Sequence, residues 1–191
     1  MALLILGMVL FALTHGLKIH APSLRARFVG QIGELPIKGA AAVALLGAMV
    51  LIVLGYQQAP YVAVWTPPLW TTHLNNLLMV LAVAVYIAGG IKSRVRHWIR
   101  HPQLTGTKIW ALAHLLVNGD LASIILFGGM LAWAVAAMIG LNARDGKGPK
   151  PGPGTALGNG IHLVATLVIV AVIGLLHNWA GVWPFAGDPP A

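Results

Sequence analysis

The twelve basic side chains of this chain are confined to three short stretches between long apolar runs. No other feature restricts its fold as strongly. The long runs cover roughly 1–18, 38–56, 71–91, 121–141 and 158–178, with a shorter one at about 104–118. Each long run approaches the ~20 residues an α-helix needs to cross a bilayer. The cations fall between them, as Lys18, Arg25, Arg27 and Lys38; then Lys92, Arg94, Arg96, Arg100 and Lys108; then Arg144, Lys147 and Lys150. If 104–118 is a span of its own, joined to the next by a hairpin, all three basic stretches share one face of the membrane. A single crossing over 104–141 strands the third stretch on the other face. The positive-inside rule therefore selects six spans, with the basic face cytoplasmic and both termini periplasmic.

The hairpin has local support. Asn118-Gly119 marks a turn, and Asp120 stands at the N-cap position, where a carboxylate accepts from the free amides of the next helix. Only 8% of the 191 residues are charged, against about 25% in a soluble domain. The expected fold is an all-α polytopic transmembrane helix bundle forming one domain over 1–191. Gly and Pro make about 144–157 a flexible cytoplasmic linker, and no internal repeat is evident. Met1 to Leu17 has no basic residue ahead of its apolar run and no small-x-small cleavage site, so it reads as a retained first span. The basic surplus then reports topology, and nucleic-acid binding is not expected. Membrane lipids are the expected surroundings, in a bacterial inner membrane. The absence of cysteine excludes disulfides, thiolate metal sites and a cysteine nucleophile.

Eight histidines accompany only four acids. His20, His97 and His101 lie among basic loop residues, and His73 and His177 near the outer span ends, where an imidazole needs no special role. His15, His114 and His162 sit inside apolar runs, where an ionisable group marks a functional site by default. Measured from the nearest charged boundary at 1.5 Å per residue, all three lie about 4 to 10 Å into the membrane. That places them together in the cytoplasmic half. Two imidazoles among apolar side chains suit a haem iron, whereas the plainer alternative is a histidine bonded to a neighbouring helix. His162 is expected as a reserve ligand or as a partner that orients one.

Three stretches carry a resemblance: "LILGMVLFALTHGLKIHAPSLRARF", "WTPPLWTTHLNNLLM" and "RHPQLTGTKIWALAHLLVNGDLASIILFGGMLAW". Together they resemble the NnrU family of bacterial membrane proteins, which is associated with denitrification and nitric oxide metabolism. The same stretches resemble the plant and cyanobacterial 15-cis-zeta-carotene isomerase, a haem b enzyme. Its first-span histidine is matched by His15-Gly16 with Arg25 beyond. Its second motif is matched by Arg100, His101, Pro102, Gln103, Gly106, Trp110 and Leu112-Ala113-His114. The resemblance implies haem b held by His15 and His114, and Arg100 and His101 are expected to meet the haem propionates. Ala111 stands where the isomerase has a cysteine, so a ligand exchange through that thiolate is not available here.

Four functions follow from these features. The first is a bis-histidine haem b protein with a redox, sensing or accessory role, partnered by a nitric oxide or nitrite reductase system or an electron donor. The second is a haem-dependent isomerase or reductase of a lipophilic polyene or isoprenoid. The third is a membrane methyltransferase, because "RHPQLTG" resembles an element of isoprenylcysteine and phospholipid methyltransferases. The later acidic and aromatic segment such enzymes use is missing. The fourth is a structural partner of a reductase that docks, or meets anionic lipid, through Arg94, Arg96, His97 and Arg100.

Overall fold

A computed structural model describes residues 1–146 and 151–185. Lys147 and Lys150 lie outside the described residues. The described chain is helical throughout its regular structure: α1 (Ala2–His20), α2 (Pro22–Ile32), α3 (Glu34–Gln57), α4 (Thr71–Ile87), α5 (Arg94–Trp98), α6 (Pro102–Leu115), α7 (Leu121–Asp145) and α8 (Ala156–Trp179). Helices α1, α3, α7 and α8 are long and apolar enough to cross a membrane, and α4 is a shorter apolar helix of 17 residues. Their outward faces are Leu- and Val-rich. Leu13, Val43, Leu46, Leu77, Leu163 and Leu175 are each more than 60% exposed, a surface that suits lipid and not water.

The chain folds as two compact units, one of 1–64 with 120–146 and the other of 65–119 with 147–191. In the first unit, proline ends α1. The residue before a proline is pushed out of the helical region, and Ala21 has φ −130° and ψ 54°. Pro22 then begins α2 at a first-turn position, where its missing N–H costs nothing. Helix α2 buries no residue and leaves Leu24, Phe28 and Ile32, spaced four apart, on the surface. Together they form an apolar stripe along one face of α2. Gly33, at φ 88°, turns the chain into α3.

Close backbone contact holds α3 to α1. A Cβ on Gly7 would stand 2.9 Å from the Ala48 carbonyl and 2.8 Å from the Ile52 amide, and a Cβ on Gly55 would strike the Leu4 backbone. The order of these contacts makes α3 antiparallel to α1. Of the small residues spaced four apart on α3, Ala48 is fully buried in this contact, whereas Ala40 is exposed. Gly129 meets the Met8 methyl, Gly140 meets Ile19 and the His20 ring, and the Arg144 guanidinium donates to the Lys18 carbonyl at 3.1 Å. Helix α7 therefore runs parallel to α1. Leu4, Ile52 and Ala122 form the core, with Phe11, Tyr56, Ile125 and Leu126 packed around them.

In the second unit, Gly106 of α6 lies 2.8 Å (measured from an added Cβ) from the Ala82 carbonyl of α4, and Gly89 faces Gln103. These helices are antiparallel, and Ala82, Ala111 and Ala113 are buried. Helix α8 begins against the Lys92 carbonyl, which accepts from Thr155 at 3.1 Å, and bonds farther along to Ala84. Helix α8 is thus antiparallel to α4. The Gly/Pro segment expected to be a free linker is largely structured where it is described. Arg144 and Asp145 end α7, Ala156 begins α8, and 151–155 is hydrogen-bonded to the α5 region.

Candidate functional site

Three histidines share one ring pose. The Nδ1 atoms of His15, His114 and His177 each donate to the carbonyl four residues back: Phe11 at 3.1 Å, Trp110 at 2.9 Å and Ile173 at 2.8 Å. A carbonyl only accepts, so Nδ1 carries the hydrogen and the lone pair of the neutral ring is on Nε2. This is the arrangement of a metal-binding imidazole whose second nitrogen is fixed by a backbone acceptor. The His15 ring stands in an aromatic corner, 4.3 Å from the Phe11 centroid and 5.0 Å from that of Trp133. Phe11 and Trp133 themselves meet edge-on at 4.9 Å. The His114 ring stacks at a tilt on Trp110, with centroids 5.2 Å apart. Asn118 donates to the His114 carbonyl at 2.8 Å and so closes the end of α6.

His162 differs. It is 7% exposed, and its Nε2 donates to the Ala84 carbonyl of α4 at 2.7 Å. Its own carbonyl accepts from Thr166 at 2.7 Å. It is thus committed to a helix-to-helix hydrogen bond. The common depth expected for the histidines does not hold in the second unit. His162 bonds close to the end of α4 that leads into the basic turn, whereas His114 is in the last turn of α6 and His177 in the last turn of α8. Fifteen residues of α8 separate His162 from His177, about 22 Å along a helix. The expectation failed because it measured depth from Lys108, which lies inside α6 and does not mark its boundary.

Arg100 is exposed, and His101 is the N-cap residue of α6 just ahead of Pro102. Thirteen residues, or about 20 Å of helix, separate His101 from His114. Arg100 and His101 therefore stand at the opposite end of α6 from His114. His97 donates from Nδ1 to the Pro151 carbonyl at 2.7 Å, so it serves the fold.

What the residue pattern missed is His177, which shares the ring pose and stands, like His114, in the last turn of its helix. It missed two members of a polar chain in the first unit as well. Asp120 caps α7 as its position predicts, accepting from the Ser123 amide at 3.0 Å. It also accepts from the Ser123 hydroxyl at 2.5 Å, and the Tyr56 hydroxyl in turn donates to Ser123 at 2.8 Å. Ser123 is fully buried, and a π-helical stretch, Ile124–Gly128, follows directly. The Asp-x-x-Ser spacing is a readable cap signal. Nothing local points to Tyr56, 67 residues away from Ser123. Among the described residues no three of His, Asp and Glu group as a metal-ion site.

The family model described as "NnrU protein" matches residues 3–184, nearly the whole chain. No curated protein and no solved structure matches it.

Proposed function

The chain belongs to the NnrU family, and from that premise we propose that it is an integral membrane haem b protein whose candidate imidazole ligands are His15 and His114, each within its own unit. The observation that carries this reading is the shared ring pose. Each imidazole is locked by its own helix, with the lone pair on Nε2 and aromatic side chains beside it. The residues fit the group: the ligands are neutral nitrogen donors, the walls are apolar, and no thiolate competes. When bound, haem b supplies one-electron transfer, and a role as electron carrier, sensor or accessory factor in nitric oxide metabolism follows from that chemistry. Phe11 and Trp133 pack against the His15 ring. Trp110 does the same on one side of His114. Ala111 removes the ligand exchange that a cysteine there would permit.

The helix directions agree with six crossings, and the positive-inside rule would then put both termini on the periplasmic side of a bacterial inner membrane. Parallel α1 and α7, and antiparallel α4 and α8, both follow if α6 crosses separately from α7. With α6 and α7 as one crossing, both relations reverse.

One observation favours a second ligand pair. His177 shares the ring pose and occupies the same end of its unit as His114. The test is the visible spectrum, oxidised and dithionite-reduced, of protein from haem-supplied cells, for wild type and for His15→Ala, His114→Ala and His177→Ala. A low-spin b-type spectrum that turns high-spin or disappears in His15→Ala and His114→Ala supports the reading. Loss in His114→Ala and His177→Ala alone moves the second ligand to His177. A folded, colourless wild type sinks both.

A further inference from the structure

The basic turn of the second unit borders an open cleft that the haem reading does not use. It measures about 410 Å³ and is lined by Lys92, Arg96 and the segment 151–155 that ends in Thr155. No acid is among its lining residues. Neither cation has a carboxylate partner among the described residues, whose ion pairs involve Arg25, Lys38 and Arg144. A cation serving topology alone can extend into solvent. Here two of them converge on a wall that is already built.

That wall is tied down at several points. The Pro151 carbonyl accepts from His97 at 2.7 Å, Thr155 donates to the Lys92 carbonyl at 3.1 Å, and the Asn159 side chain accepts from the Arg94 amide at 2.9 Å. Gly154, at φ 83°, comes so close that a Cβ there would stand 2.6 Å from the Ser93 carbonyl carbon, and Gly158 touches the Lys92 carbonyl. Ser93, 1% exposed in the same turn, has a buried hydroxyl with no partner among the described residues. Thr155 caps α8 by accepting from Gly158 at 2.9 Å, so the positive end of a 24-residue helix dipole adjoins the cleft.

We propose that this cleft binds a phosphate-bearing anion through Lys92 and Arg96. Two cations, a helix N-terminus and an acid-free, preformed wall match the charge and the acceptor-rich surface of a phosphate ester. The volume falls within the range of small-ligand sites, about 300–1,000 Å³. The anion is either the headgroup of an anionic phospholipid in the cytoplasmic leaflet or a soluble phosphate compound.

The full-length protein in detergent is examined by native mass spectrometry with phosphatidylglycerol against phosphatidylcholine, and by calorimetric titration with inorganic pyrophosphate. The variants are Lys92→Gln/Arg96→Gln and, as a control on α2, Arg27→Gln. The wild type should retain its anion at least ~10-fold better than the double variant, the scale of losing charge-assisted hydrogen bonds, with Arg27→Gln unchanged. Phosphatidylglycerol retention that pyrophosphate does not displace identifies a lipid headgroup. Pyrophosphate binding that displaces the lipid identifies a soluble ligand. Should the double variant misfold, acetic anhydride labelling of Lys92 in the wild type gives the same answer, because a bound anion protects it. Equal binding by wild type and a folded double variant, or Lys92 labelling unaffected by both probes, overturns the proposal.

Discussion

Replacing Asp120 tests the polar chain at the start of α7. The carboxylate accepts from the Ser123 amide at 3.0 Å and from its hydroxyl at 2.5 Å. Losing an N-cap costs about 1 kcal/mol, and losing a hydrogen bond to a charged group about 1.5–3 kcal/mol. Ser123 is fully buried but keeps Tyr56 as a partner, so its hydroxyl is not stranded. Asp120→Ala should therefore destabilise the protein by roughly 2–4 kcal/mol. Asp120→Asn should cost under about 1 kcal/mol, because the amide oxygen still caps the helix while its NH2 donates to Ser123, which then donates to Tyr56. Unfolding in increasing SDS mole fraction measures both, and a cycle with Ser123→Ala isolates the coupling. If Ala and Asn are equally harmful, or Ala is neutral, the chain is a geometric coincidence without energetic weight.

Gly106→Ala places a Cβ within 2.7 Å of the Tyr86 side chain and should lose about 1–3 kcal/mol by overpacking. Gly47→Ala meets nothing within 4 Å and should be neutral or slightly stabilising; equal melting shifts for the pair would refute the close-contact account. His162→Leu removes the bond to Ala84 and should cost about 0.6–2 kcal/mol without altering any haem spectrum. A changed spectrum would make His162 a ligand after all.

The long helices were legible because a helix able to cross lipid needs a set length and an apolar composition. The six apolar runs correspond to α1, α3, α4, α6, α7 and α8. Helices α2 and α5 were hidden because their sequences, "PSLRARFVGQI" and "RVRHW", read as charged loops. In α2 the apolar spacing is four residues on one face only. The cap at Asp120 was legible because it is local, whereas Tyr56 reaches its partner through packing of segments distant in the chain.

The basic residues carry a second lesson. The positive-inside rule would account for the side of the membrane on which cationic stretches lie without assigning any of them a ligand. The structure separates them further. Arg144 is spent on the Lys18 carbonyl and on Asp145, and Arg25 on Glu34, so these cations fasten helix ends and turns. Lys92 and Arg96 line a cleft instead. Charge that serves topology alone is indifferent to a few ångströms of displacement, because the membrane potential and the translocation machinery read sign and side. The wall opposite Lys92 and Arg96 is held by hydrogen bonds and by glycine contacts that tolerate no Cβ, and topology has no use for such a constraint. That difference in precision, and not the amount of charge, is what distinguishes a binding site from a sorting signal.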